Sequence, residues 1–211
     1  MFGKRLWVAV LLVMTLAASL AAQDEKNEVS GSIGRDFVGR QGIQGANFFD
    51  PNIRYGKGLS VEGTYARKLL LNPLFSVAVE VPVFYNLKEK LHAGGPGDVP
   101  QNYNALFVTP SVRANLFPTT AVSPWGSIGG GFSRISESGQ LLYNGTPNPG
   151  KNTTSGVLQY GVGLDVKITK ILVLRGEGRD FWAAEPDFPL APTGKTRQHN
   201  YFIGVGILLR F

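Results

Sequence analysis

The chain has 211 residues, room for one ordinary domain or one closed β-structure of modest strand number, and is 43% hydrophobic and 11% aromatic with only 17% charged residues. A soluble domain carries roughly 25% charged residues, so 27 glycines, 13 prolines and this sparse charge point to many turns and a lightly charged surface. The formal charge of +6 is nowhere gathered into a basic cluster, which excludes a nucleic-acid footprint, and the lack of cysteine excludes a disulfide framework, a cysteine metal site and a lipid-modified N-terminal cysteine.

The first element is a predicted secretory signal peptide over residues 1–21. Lys4 and Arg5 precede an unbroken apolar run from Leu6 to Met14, and Ser19 and Ala21 supply the small residues of a cleavage site after Ala21. That run is shorter than the ~20 residues a spanning helix needs, and no later apolar run approaches 18, so a helical membrane protein is excluded. Residues 22–211 are expected to form a single domain with a charge of +4, Lys4 and Arg5 having left with the leader.

From there residue character repeats with period two over segments of about ten residues, and helical periodicity is nowhere sustained. Strands are predicted at 28–37, 57–69, 74–85, 105–117, 125–135, 157–168, 171–182 and 201–211. In the sixth, Leu158, Tyr160, Val162, Leu164, Val166 and Ile168 share one face. In the eighth, Tyr201, Ile203, Val205, Ile207, Leu209 and Phe211 do so, opposite Gly204, Gly206 and Arg210. Short links at 70–73, 118–123 and 169–170 alternate with long polar ones at 38–56, 86–104, 136–156 and 183–197. Such asymmetry is what a meander gives when the two ends of its barrel face different compartments. The predicted fold is all-β: a closed eight-stranded antiparallel up-and-down transmembrane barrel.

Period two alone does not say which face points outward; the charges do. Arg175, Glu177 and Arg179 share one face of their strand, and an arginine at the midplane of a lipid face costs about 2–4 kcal/mol. Turned inward, Glu62, Glu80, Asp165 and Glu177 pair with Arg113, Lys167, Arg175, Arg179 and Arg210 as an interior charge network. Aromatic residues gather at segment ends, Phe75, Phe117, Trp125 and Phe211 on the short-link side and Phe37, Tyr85, Phe181, Trp182 and Tyr201 on the other, and are expected to form two interfacial girdles. Pro82 and Pro110 fall inside strands that need backbone donors, so a local bulge is expected there.

The segments "FVTPSVRANLFP", "PWGSIGGGFSR" and "LRGEGRDFW" are similar to strands of the broad outer-membrane β-barrel family, and residues 27–211 as a whole resemble the small eight-stranded barrels of the outer-membrane protein A and X type. The resemblance implies a bacterial outer-membrane location and contact with outer-membrane lipids and lipopolysaccharide. It also makes the alternating run Tyr201, Ile203, Val205, Ile207, Leu209, Phe211 similar to the C-terminal signal read by barrel assembly machinery. The matching motifs are architectural and carry over no catalytic residue.

The two histidines, His92 and His199, stand in or beside long links, and no cofactor or metal site is expected. "GSIGGG" lacks the helix a phosphate loop requires. The functional expectation is a non-enzymatic barrel scaffold presenting four external loops of unassigned ligand. A narrow porin-like channel is the alternative. A second alternative is an outer-membrane lipid-modifying enzyme using His199 as base, whose same-face neighbours Arg197 and Tyr201 are not the serine that lipid A deacylases carry.

Overall fold

The computed structural model describes residues 26–43, 52–87, 89–93, 99–142, 152–184 and 197–211, so the expected leader lies outside the described residues. The regular structure among the described residues is β throughout: β1 (Asn27–Val38), β2 (Gln41–Gly42), β3 (Asn52–Tyr55), β4 (Leu59–Leu71), β5 (Phe75–Asn86), β6 (Glu89–Ala93), β7 (Asn102–Val108), β8 (Ser111–Leu116), β9 (Val122–Glu137), β10 (Asn152–Lys167), β11 (Leu172–Ala184) and β12 (Arg197–Arg210). Eight staves make the wall, in the order β1, β4, β5, β7 with β8, β9, β10, β11, β12, each antiparallel to its neighbours. β12 returns to β1 over the register Glu28↔Arg210 to Val38↔Asn200. Asn27 and Phe211 exchange backbone hydrogen bonds of 2.8 and 2.9 Å, so the seam is paired to its last residue. A closed wall of this kind satisfies its backbone donors and acceptors without an exposed edge, the condition for crossing hydrocarbon with strands.

Side-chain alternation then sorts residues by face. In β12, Gln198, Asn200, Phe202, Leu208 and Arg210 are buried inside, whereas Tyr201, Ile203, Val205, Ile207 and Leu209 are exposed outside. β10 repeats this with Leu158, Tyr160, Val162 and Leu164 outward and Gln159 and Asp165 inward. At the short-link end of β4 the register slips between Lys68 and Leu70, and Leu69, Leu70 and Leu71 all face outward.

The expected bulge at the two prolines does not form. β5 keeps one register across both β7 and β8, from Phe75↔Leu116 to Tyr85↔Leu106, and β9 does likewise, so no residue is inserted where the stave breaks at Thr109 and Pro110. The missing donors face different neighbours, and each pair keeps its other bond: Thr109 N donates to Pro82 O at 3.2 Å and Gly130 N to Pro110 O at 3.1 Å. One lost hydrogen bond per proline is tolerated without rearranging the ladder.

The long links also differ from the expectation of plain loops. β2, β3 and β6 extend the sheet beyond the wall from β7, in the order β7, β6, β3, β2. This flap folds over the mouth, burying Ile53, Leu91 and Val99 against aromatic residues of the wall. Its free end is tied across to β12 by the Gln41 amide, which donates to Gln198, and Tyr55 donates its hydroxyl to Gln41.

Candidate functional site

The interior begins, at the short-link end, with Glu28 of β1. Its carboxylate meets Lys68 at 3.1 Å, Arg210 at 3.0 Å and Arg113. Arg113 also holds Glu80 at 3.2 Å and donates to Asn115, whose amide donates to Asp165. Asp165 receives Arg175 through Nε and Nη2, both at 2.8 Å, a bidentate fork. Further up, Arg179 gathers three acids: Glu80 at 2.9 Å, Glu62 at 3.0 Å and Glu177 at 3.3 Å.

Five carboxylates and five cations are thereby joined, with Asn115 as the bridge, into one connected group with no net charge when all are ionised. Its members come from seven staves, Arg113 and the bridging Asn115 both standing on β8. β9 supplies the eighth part, Trp125. Its indole Nε1 donates to Asp165 at 3.1 Å, and the guanidinium carbons of Arg175 and Arg179 lie 4.9 and 5.2 Å from the ring centroid. The ring fits because residue 163 is glycine: a Cβ there would stand 2.5 Å from the indole. Eight staves leave space for side chains and little more, and here charged ones fill it.

Of the residues expected inside, Glu62, Glu80, Arg113, Asp165, Arg175, Glu177, Arg179 and Arg210 come together as ion pairs. Lys167 does not enter the network: at the end of β10 its amine instead donates to Thr119 O at 3.4 Å. Glu28 and Lys68 were missed, as was Asp36, which accepts from Ser60 at 2.9 Å and Asn86 at 3.4 Å nearer the loop end. All three keep strand parity with polar neighbours, Glu28 and Asp36 with Ser30 and Ser32, Lys68 with Glu62 and Thr64, so alternation alone could have found them.

Two girdle assignments are corrected. Trp125 and Phe181 stand at segment ends, yet both are buried in the lumen because they share parity with Ser123 and Ser127, and with Arg175 and Arg179. Phe181 belongs to an apolar ceiling above the ionic floor. Phe84 lies 5.1 Å from Phe181, 5.1 Å from Phe202 and 5.6 Å from Phe107, and Phe107 stacks on Phe181 at 4.9 Å. Tyr103, Ile135, Val157 and the flap residues complete the cluster.

No family model matches the chain, and no curated protein matches it in sequence. Solved structures match its shape. The barrel aligns with Neisserial surface protein A at a TM-score of 0.56 and 13% identity, over 88% of this chain and 97% of that one. It aligns with the outer membrane protein OprG from Pseudomonas aeruginosa at 0.55 and 12% identity, over 89% and 97%. The fold is that of the small eight-stranded outer-membrane barrels. At such identities the likeness is one of fold alone.

On the outer face of this fold, His199 has the parity of the exposed residues of β12. Its ring is stacked between Trp182, at 6.2 Å, and Tyr201, at 5.7 Å, and its Nδ1 lies 2.7 Å from Asp180 Oδ2. Arg197, next on that face, places its guanidinium 4.8 Å from the Trp182 centroid. Beside the imidazole stand rings, a carboxylate and a guanidinium, and none of these supplies the serine hydroxyl of an acyl-transfer site. His92 is exposed on β6, in register with Arg54.

Proposed function

We propose that the protein is an integral barrel of the bacterial outer membrane, exported by the cleaved leader at 1–21, whose lumen is closed and whose business is done by its outer wall and external connections. One observation carries this reading: the interior is occupied from floor to ceiling, first by mutually neutralising ions and then by packed phenylalanines, under a flap tied across the mouth. Charged side chains paired to one another across the lumen occupy the space a water path would need, and a stack of rings offers no polar lining.

The non-enzymatic scaffold is therefore preferred to a porin-like channel. The exposed run Tyr201, Ile203, Val205, Ile207, Leu209 and Phe211 serves on this reading as the segment that assembly machinery engages before β12 pairs with β1. Lipopolysaccharide and the other outer-membrane lipids are the surroundings of the apolar belt.

Two measurements test it. Unboiled protein should migrate apart from boiled protein on a denaturing gel and sediment with the outer membrane. An epitope inserted between β9 and β10 should bind antibody on intact cells; recognition only after permeabilisation would place those connections on the wrong side and overturn the orientation.

A further inference from the structure

The flap is not an added sheet but the upper end of the wall itself, bent over. From Arg35↔Leu59, a pair of β1 with β4, six residues on along each strand lead to Gln41↔Ile53, a pair of β2 with β3. From Ser60↔Asn86 of β4 with β5, five residues on along each strand lead to Tyr55↔Leu91 of β3 with β6. Neither register slips, so β2, β3 and β6 continue β1, β4 and β5 respectively. The boundary with β7 does slip: between Tyr85↔Leu106 and Glu89↔Tyr103 four steps on the flap side match three on β7. One extra residue along a single side bends the strands that carry it.

All three strands lose regular structure at one level, at Gly39 and Arg40 on the first, at 56–58 on the second and at Leu87 on the third. Gly56 N donates to Lys90 O and Leu87 N to Leu59 O, both at 2.9 Å, so the second and third strands stay zipped through the bend. Strands joined in this way open as a unit rather than fray singly. Gly39 and Gly56 stand where the backbone changes direction, and neither carries a side chain to obstruct a further change.

The two sides of the flap are fastened unequally. On one side the backbone of β6 pairs with β7. On the other, β1 leaves β12 after Val38↔Asn200, and the flap reaches β12 again through a side chain: Gln41 donates its amide to Gln198, whose own amide donates to Asn200 at 3.3 Å. Beneath, Ile53 and Leu91 rest on the ring cluster, and Tyr55 stands edge-on to Tyr103 at 5.5 Å. Apolar packing has no fixed geometry to lose, and neutral amides at a mouth exchange partners with water; the ion pairs of the floor have no such substitute.

We propose that the flap is a hinged lid: β2, β3 and β6 swing as one body about the row from Gly39 to Gly56, with β7 as the attached side and the Gln41 to Gln198 contact as the latch. Opening uncovers the ring ceiling to the medium above the mouth and leaves the ionic floor shut. The lid thereby gives access to the rings without a path through the barrel.

The test uses the protein refolded in phosphatidylcholine nanodiscs, each variant being accepted as folded by its gel shift on heating. In the unmodified chain the amides of β2, β3 and β6 should exchange as one group, faster than those of β1, β4 and β5 below the bend. Gln198→Ala should speed that group about fivefold, the worth of one neutral hydrogen bond, and leave the wall unchanged. The chain has no cysteine of its own, so an introduced thiol reports one position. Val157→Cys, in the ceiling, should react with a water-soluble maleimide, and about fivefold faster once Gln198→Ala is added. Ser127→Cys, beside Arg179 in the floor, should stay unreacted in both backgrounds. Flap amides that exchange at unrelated rates, a latch variant without effect, or Ser127→Cys reacting as fast as Val157→Cys would each overturn the lid while leaving the barrel standing. An unmodified chain that shows no gel shift overturns the barrel itself.

Discussion

The floor and the ceiling of the lumen fill the same cylinder with opposite chemistry. Below, the ion network spans the staves with directional contacts; above, Phe84, Phe107, Phe181 and Phe202 fill the space by shape. The difference follows from what each region faces. The floor is walled on every side by strands and gains register from fixed donor and acceptor pairs. The ceiling lies under the flap, where burying apolar surface holds β3 and β6 to the wall without demanding one geometry. Ions specify and rings seal, and substitutions in the floor, the ceiling and the wall separate these roles.

The largest effect is expected for Arg179→Ala. It strands Glu62 and Glu177 inside the barrel and leaves Glu80 to Arg113 alone, and removing one partner of a buried ionic group costs about 3–5 kcal/mol; urea unfolding in lipid vesicles should show it, and a loss under ~1 kcal/mol would mean the network is ornamental. Next comes Phe84→Ala, at the centre of the ring cluster, with a loss of about 3 kcal/mol. It should also loosen the flap, measured as faster amide exchange at Ile53 and Leu91. If exchange there stays unchanged, the ceiling does not hold the flap.

Gly163→Ala drives a Cβ to 2.3 Å from the Gly176 carbonyl oxygen and 2.5 Å from the Trp125 indole and should cost about 1–3 kcal/mol by overpacking. Adding Trp125→Phe should recover part of that loss, and additive losses would contradict the contact. The smallest change is expected for Pro110→Ala. It restores a donor toward β9 in a ladder whose register already runs through, so stability should move by no more than about 1 kcal/mol.

The eight staves and the inward charges were legible because alternation and turn composition are local properties of the sequence. Parity was the stronger guide, and where position was preferred to parity the assignment failed. Trp125 and Phe181 were assigned to the girdles by standing near strand ends, although Ser127 and Arg179 beside them on the same face already pointed inward. The flap was not legible: β2, β3 and β6 are short and lie in Gly- and Asn-rich links, and the pairing that joins the two links, β3 with β6, brings Ile53 to Ala93, far apart in the chain. Nor did composition reveal that the exposed charges among the described residues are all basic, since net charge sums residues without regard to which side of the wall they face.

On the proposed reading this lumen is closed by its own side chains. Purified barrel inserted in a planar bilayer of phosphatidylcholine should give no discrete current steps in concentrated potassium chloride at moderate voltage. Reproducible single-channel steps from the unmodified protein would contradict it.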